Sequence, residues 1–451
     1  MGKTMISAAV ILLTISSCGI YNKYESDSTV PDGVFGSGVQ VTGQSSMARM
    51  PWRTFFTDQK LQQLIDTALE RNTDLKVAEL NVGVAEASLV AAKLAFLPSL
   101  SLNPQGSVGR VGINYESFNL GTGAEWEIDL FGGINNRRRQ AAALLEQTRD
   151  QETLVRTKLI SNVATAYHQL QILDQQLDII TKTEVLWEQS LETQRALLEN
   201  GKAYSTSVDQ MEASLLDIRT QRIDITNNIR DIENALCLLL AQTPQHIDRN
   251  PWGSFNLPQQ VSVGIPAELL GNRADVRAAE RAIENAYYVT SEARSNFYPK
   301  LTLSGALGWT NGEMGTLNPA QWVMNAAASL AQPLFTQGKL RANLKRSKLQ
   351  QEEARQLFVK TVLNAGNEVN SYLADCQAAR DKASLYQQQV AVLQHAYEGT
   401  HELMVNGKAT YLEVLTAQEA LLRAQLGEAA NVFNGNQALI DLYIALGGGA
   451  E

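Results

Sequence analysis

One segment of about 66 residues, 133–198, contains no proline and no glycine after its first residue. From Leu159 to Ile180 its apolar residues recur at alternating steps of four and three, the spacing of a seam through which one helix packs against another. At 1.5 Å per residue such a helix spans roughly 100 Å, several times the length of an ordinary globular helix. The rest of the chain therefore has to pack along a long rod.

The first residues are typical of an export signal. Lys3 precedes an apolar run, residues 5–15, that is too short to cross a bilayer as a helix. The run ends in Ile-Ser-Ser-Cys18, which resembles the lipobox of bacterial lipoproteins. This resemblance implies a lipoprotein signal peptide over residues 1–17 and lipidation of Cys18, while an ordinary signal with a chance cysteine is the alternative. We expect residues 18–57 to form a lipidated, extended N-terminal tether.

Between a first helical pattern, residues 58–96, and the rod, the hydrophobic period changes from 3.6 to 2. The strand next to the rod has one apolar face and one acidic face. The apolar face carries Leu120, Thr122, Ala124, Trp126, Ile128 and Leu130, and the opposite face carries Glu125, Glu127 and Asp129. We expect the acidic face to line a water-filled lumen. Because no other apolar run has the length of a membrane helix, a membrane crossing would require strands in a closed barrel.

The chain then repeats this order of patterns. The pattern of the stretch from Phe96 to Leu100 recurs 201 residues later in the stretch from Phe297 to Leu301. Leu-Phe at 130–131 is answered by Leu-Phe at 334–335, and Asn-Gly-Lys-Ala at 200–203 by the same four residues at 406–409. The sequence therefore predicts an internal duplication, with a unit much longer than the 20 to 50 residues of solenoid repeats.

We predict a first repeat over residues 58–242, an irregular, proline-rich equatorial segment over 243–266, a second repeat over 267–446 and a tail over 447–451. The predicted elements of the first repeat are strands at about 99–130, a long helix at 133–198 and a return helix at 204–242. Those of the second repeat are strands at about 300–333, a long helix at 338–404 and a return helix at 410–446. Each chain thus supplies four membrane-type strands, whereas closed barrels start at about eight strands. Three copies would supply twelve, so the predicted fold is mainly α, with a small transmembrane β-barrel completed by a trimer and a hollow α-helical barrel.

These motifs resemble those of the TolC-like outer-membrane efflux proteins, and in particular their lipoprotein branch, the NodT-type outer-membrane factors. The motifs that carry the resemblance are Trp126 to Gly132 ahead of the rod, the Phe-x-Pro-x-Leu stretches, Gln332 to Gly338 and the two Asn-Gly-Lys-Ala turns. The resemblance implies a homotrimeric exit channel in the outer membrane of a Gram-negative bacterium, with its helical part in the periplasm. It also implies a periplasmic adaptor (membrane fusion protein) and an inner-membrane transporter of the RND type as partners.

The resemblance further implies roles for the two helical tips. Gly201, Lys202, Gly407 and Lys408 would form the surface that faces the adaptor, although glycine at these positions also simply closes a helical hairpin. Asp209 and Glu413 would form an acidic constriction that selects cations and closes the tunnel at rest. The alternative is that each is a solvated acid near a helix N-terminus. The distances from Gly201 to Ala213 and from Gly407 to Ala417 predict a first tip loop that is two residues longer than the second, and Thr416 stands where relatives have a second acid.

Composition and motif searches exclude other classes of function. The net charge of −9 disfavours nucleic acid as a partner. The four histidines and three cysteines show no zinc spacing, and no phosphate loop or nucleophile motif is present, so we expect no enzyme activity, no cofactor and no metal site. The remaining alternative is a periplasmic coiled-coil scaffold or adaptor lipoprotein without a channel. The sequence leaves open whether drugs, metals or other toxic compounds are exported.

Overall fold

The computed structural model describes residues 22–26, 47, 50–111, 113–252, 271–310 and 321–450. The predicted signal peptide, Cys18 and most of the tether and equatorial segment lie outside the described residues. The helices and strands follow the same order twice. The first set is α1 (Trp52–Phe55), α2 (Gln59–Arg71), α3 (Thr73–Leu94), β1 (Ser99–Val111), β2 (Ile113–Ile128), α4 (Gly133–Glu199) and α5 (Ser205–Leu239). The second set is α6 (Ala274–Ser295), β3 (Lys300–Thr310), β4 (Gln321–Ala331), α7 (Lys339–Val405) and α8 (Tyr411–Ala445).

The chain divides into two compact units. The first, here called the sheet unit, comprises Met1–Thr29, Glu79–Gln151 and Asp275–Thr361. The second, here called the helical unit, comprises Val30–Ala78, Glu152–Ala274 and Val362–Glu451.

The sheet unit contains one antiparallel sheet with the strand order β1-β2-β3-β4. The sheet joins the two hairpins of the repeats through β2 and β3, which leaves β1 and β4 at its edges. None of the strand side chains that the structure describes is buried, and Leu100, Val108 and Met324 are each more than 80% exposed. A single copy therefore gives this sheet no hydrophobic core.

The helical unit has its core along the long helices. Seam residues of α4 such as Leu159, Val163, Leu170 and Ile180 are buried, which confirms the heptad interpretation. In the same unit, Phe55 stacks on Tyr443 with ring centroids 4.1 Å apart. The start of the first repeat and the end of the second repeat therefore share one core.

The first predicted helix is interrupted, which the sequence did not indicate. Asn72 is non-helical between α2 and α3, with φ −55° and ψ 130°, and its Nδ2 donates a hydrogen bond to the carbonyl oxygen of Leu239 at 2.9 Å. Its Oδ1 accepts a hydrogen bond from the Leu75 backbone N–H at 3.0 Å. Asn72 therefore caps α3 and ties it to the end of α5, and these bonds replace the helical conformation at this residue.

Several other predicted bounds differ from the structure. The return helix α5 ends at Leu239 and not at 242, because Ala241 adopts a positive φ of 52° and the Gln242 N–H bonds back to Cys237. Strand β2 ends at Ile128, and the first helix of the second repeat, α6, begins at Ala274. The two long helices are each 67 residues and the two return helices 35.

The prediction that the first tip loop is two residues longer than the second is wrong. Residues 200–204 separate α4 from α5, and residues 406–410 separate α7 from α8, so the two tip loops have the same length. No helix in the parts of the chain described above is both long enough and apolar enough to cross a membrane.

Candidate functional site

The two tip turns have the same backbone geometry. Gly201 and Gly407 both have a φ of +68°, a conformation that favours glycine. The N–H groups of Lys202 and Lys408 donate hydrogen bonds to the carbonyl oxygens five residues earlier, those of Leu197 and Leu403, both at 2.8 Å. These are Schellman motifs that end α4 and α7. The two lysine side chains are exposed, so each turn presents one positive charge to solvent.

Glu413 is the third residue of α8, and its carboxylate is hydrogen-bonded at the N-terminus of that helix. The Thr410 N–H donates to its Oε2 at 2.6 Å, and the Thr410 hydroxyl lies 3.0 Å from the same oxygen. Thr410-Tyr-Leu-Glu413 is a capping-box sequence, so this contact could have been predicted from the sequence. The cap fixes the position of the carboxylate at the start of α8.

Asp209 lies in the second turn of α5 and is exposed. Among the described residues, no hydrogen bond or ion pair engages its carboxylate. Because the two repeats correspond at an offset of 206 here (406 − 200), Asp209 corresponds to Leu415 and Glu413 to Ser207. The two acids are therefore near equivalent tips but at different helical positions, and no bond joins them.

A buried core lies behind the tips in the helical unit. It consists of Ile180, Trp187, Leu191, Val208, Met211, Leu215, Ile218, Tyr411, Leu415 and Leu422. Three side chains here or next to this core have buried polar atoms without a hydrogen-bond partner among the described residues: Trp187 through Nε1, Tyr411 through its hydroxyl, and Gln418 through both amide atoms. Burial raises the pKa of Tyr411, so its hydroxyl stays neutral at physiological pH. Two of the three belong to α8, in the second repeat.

Ion pairs connect α4 to α5 in the first repeat. Arg219 contacts Glu184 at 3.0 Å and Glu188 at 2.6 Å, and Arg222 contacts Glu184 at 2.8 Å. Nearer the tip, Arg195 contacts Glu212 at 3.0 Å. The counterparts in α7 and α8, at the offset of 206, include Val390, Gln394, His401, Gln418 and Gln425. These ion pairs therefore cannot form in the second hairpin.

The three acids predicted to line a lumen have different surroundings. Glu125 is exposed in β2, and Glu127 on the same face lies 3.4 Å from the Lys300 ammonium. Asp129 follows the end of β2, and its Oδ2 accepts a hydrogen bond from the Asn135 N–H at 2.8 Å, next to the N-terminus of α4. Of the three carboxylates, that of Asp129 therefore accepts a hydrogen bond at the start of a helix.

Three consecutive arginines at the start of α4 make contacts that sequence reasoning missed. Arg137 pairs with Glu292 at 2.6 Å, and Arg138 donates to the Asn135 side-chain oxygen at 3.0 Å. Arg139 donates to the Asn22 carbonyl at 3.1 Å and lies over the ring of Tyr288. This cationic run therefore connects α4 to α6 and to the N-terminal segment. No cluster of His, Cys, Asp or Glu arranged to hold a metal occurs in the described part of the chain.

The chain is an internally duplicated protein of the mainly α class, with two long helical hairpins and one four-stranded sheet. Comparison with known proteins identifies its family. Residues 64–242 and 265–448 match the family described as outer membrane efflux protein (OEP), so the chain belongs to this family. The match falls in two parts, one in each half of the chain.

Individual relatives agree with the family match. The cation efflux system protein CusC of Escherichia coli (strain K12) is 28% identical over 411 residues, which are 88% of each chain. The toluene efflux pump outer membrane protein TtgC of Pseudomonas putida is 26% identical over 476 residues, covering 100% of this chain and 96% of TtgC.

Solved structures share the fold. A crystal structure of CusC covers 95% of this chain and 99% of its own, with a TM-score of 0.84 and 26% identity. The open state of the MtrE outer membrane channel from Neisseria gonorrhoeae covers 96% and 98%, with a TM-score of 0.82 and 24% identity. The chain is therefore an outer-membrane efflux channel, and the alternative of a scaffold without a channel is set aside.

Proposed function

We propose that this protein is a homotrimeric exit duct that carries compounds passively from an inner-membrane pump to the exterior, and that Asp209 and Glu413 restrict its periplasmic tip at rest. The trimer is supported by the sheet, because four strands with two open edges, and with no buried side chain among those that the structure describes, cannot close alone. Twelve strands from three copies exceed the minimum for a closed barrel.

The proposed partners are a periplasmic adaptor and an inner-membrane transporter of the RND type. The adaptor would contact the tips at Gly201, Lys202, Gly407 and Lys408, which form two turns of equal geometry with exposed lysines. The names of the relatives mention cargoes as different as cations and toluene. Such a range supports a duct whose cargo is selected by the pump, and we assign no catalytic role to the chain.

Lipidation of Cys18 is part of the proposal. The lipobox-like sequence before it supports an anchor in the outer membrane, with residues 18–57 as a tether. The alternation of polar and apolar residues in β2 supports lumen-facing roles for Glu125 and Glu127. Asp129 would face the lumen while its carboxylate also accepts the hydrogen bond from α4.

The observation that carries the gate is the position of two charged carboxylates at tips whose backbones are fixed. Glu413 is held by its capping box, and Asp209 is exposed without a partner among the described residues. Repeated in three copies, they would place six negative charges around the tip, and carboxylate rings concentrate cations.

The mobile part of the gate would be the second hairpin, α7 and α8. Its residues cannot form the ion pairs that connect α4 to α5, and the buried polar atoms of its Tyr411 and Gln418 have no hydrogen-bond partner in the described part of the chain. Each such group costs about 1–3 kcal/mol in a packed core. This cost lowers the stability of the closed state and so lowers the free energy needed to open the tip.

Single-channel recording in planar bilayers tests the gate. We expect Asp209→Asn with Glu413→Gln to reduce the preference for cations by about fivefold, since a unit charge 4 Å from an ion contributes about 1 kcal/mol in water. Because Gln can replace Glu in a capping box, Glu413→Gln should retain the start of α8. The double variant Asp209→Ala with Glu413→Ala should reduce the cation preference and also raise the conductance. Glu353→Gln, an exposed acid of α7 in the sheet unit, is the control. Unchanged selectivity and conductance in both double variants would remove these residues from the gate.

A further inference from the structure

The two repeats correspond residue by residue at two fixed offsets in the sheet unit. The Trp126 Nε1–H donates to the Phe96 carbonyl at 2.8 Å, and the Gln332 amide donates to the Phe297 carbonyl at 2.9 Å. The acceptors differ by 201 residues (297 − 96) and the donors by 206 (332 − 126). Before β1 the offset is therefore 201, and from β2 onwards it is 206.

These offsets reproduce the pairing inside the second hairpin. In the first hairpin Ser99 lies opposite Glu125. Adding 201 to the first and 206 to the second predicts that Lys300 lies opposite Ala331, which is the observed pair. The two hairpins are therefore equivalent in register.

The junction between the repeats, where β2 pairs with β3, defines a third register. Gly121 lies opposite Gly308 and Ala124 opposite Gly305. The equivalent of β2 is β4, and the equivalent of β3 is β1, so the same junction can be built a second time from the two edge strands. In this second junction Ala327 takes the position of Gly121 (121 + 206), and Ser107 takes the position of Gly308 (308 − 201). Since β1 and β4 lie at opposite edges of the sheet, this second junction requires another copy of the chain.

We infer that β4 of one copy pairs antiparallel with β1 of the next copy, with Ala327 opposite Ser107 and Ala326 opposite Val108. This inference rests on the proposed trimer and adds the residue register at which its copies join. In this register the two residue numbers of each pair sum to 434.

Small residues lie at both the internal and the inferred junction. At the internal junction a Cβ on Gly308 would lie 3.0 Å from the Gly121 Cα, so the strands approach closely there. The corresponding pair, Ala327 and Ser107, is also small, and Ala326 and Ala328 flank it in β4. The repeated Leu-Phe dipeptides differ by 204 residues and would instead predict a register shifted by two residues, with Ala327 opposite Gln105.

Disulfide trapping distinguishes these registers. Ser107→Cys with Ala327→Cys, and Val108→Cys with Ala326→Cys, are the pairs in register. The shifted pairs combine Ala327→Cys with Gln105→Cys or with Gly109→Cys. A shift of two residues moves a partner by about 6.6 Å along the strand, which exceeds the tolerance of a disulfide. The single variants are controls, because each retains the buried Cys237 and Cys376.

Under mild oxidation in membranes, we expect at least one in-register pair to give covalent dimers and trimers on a denaturing gel, about tenfold more than either shifted pair. Greater cross-linking of a shifted pair would overturn the register. So would the absence of cross-links from every pair in particles whose native mass is three copies. Particles with the native mass of one copy would instead overturn the proposed trimer, so the two failures are distinguishable.

Discussion

At the scale of single residues, the acidic side chains of this protein differ in how they are accommodated. Glu413 bonds within a helix cap and Asp129 at a helix start, while Asp209 is exposed. Asp441 in α8 is partly buried, and burial is the main cause that raises the pKa of its carboxyl, with a smaller contribution from Asp375. The hydrogen bond from Gln437, at 3.0 Å, opposes this shift. The charged form of Asp441 is therefore less favourable in the folded chain than in the unfolded chain.

Asp441→Asn should raise the thermal unfolding midpoint at pH 7.5 and bring little gain near pH 4. A carboxyl whose pKa is raised by folding contributes stability below its unfolded pKa, and that contribution is lost as pH rises through the folded pKa. Asn removes the charge, so the variant should lose less stability between acidic and neutral pH. The control is Asp381→Asn, because Asp381 accepts the same type of hydrogen bond, from Gln377, at an exposed position. An equal effect of both substitutions on the pH profile would contradict this account.

At the scale of the helices, the two hairpins have the same length but unequal connections. The first has Glu184 between Arg219 and Arg222, whereas the second has Val390 at the matching position. Gln418 occupies the position of Glu212 and is buried, and neither of its amide atoms has a hydrogen-bond partner within the residues that the structure describes. The second hairpin is therefore the one we expect to move first.

Gln418→Leu should stabilise the resting tip. Replacing an unsatisfied buried amide by an apolar side chain of similar size removes a cost of about 1–3 kcal/mol, so the unfolding midpoint should rise and the open probability should fall. The same substitution at the exposed Gln388 of α7 is the control and should change neither quantity. An increase in open probability for Gln418→Leu would show that this amide does not weaken the closed tip.

The helices and strands could be predicted because apolar and polar residues recur with a local period. The seam from Leu159 to Ile180 and the alternation in β2 are both readable within short windows. The break at Asn72 could not be predicted, because its partner Leu239 lies 167 residues away. The tip residues Asp209 and Glu413 were identified by resemblance alone, and their helical positions became clear only from the equal tip loops.

At the scale of the whole molecule, the sheet requires more than one copy. Its two edges are open, its described side chains are not buried, and the register of its internal junction can be repeated between copies. The sequence indicated four strands and hence a trimer. The register could not be predicted from the sequence, because the Leu-Phe dipeptides at 130–131 and 334–335 do not occupy equivalent positions.

The native mass of the protein, extracted from membranes in a mild detergent and measured by native mass spectrometry, tests the central claim most directly. The four strands of one chain are fewer than the roughly eight of the smallest closed barrel, whereas three copies supply twelve strands. The account predicts a single species with the mass of three chains. A folded particle with the mass of one chain would contradict it.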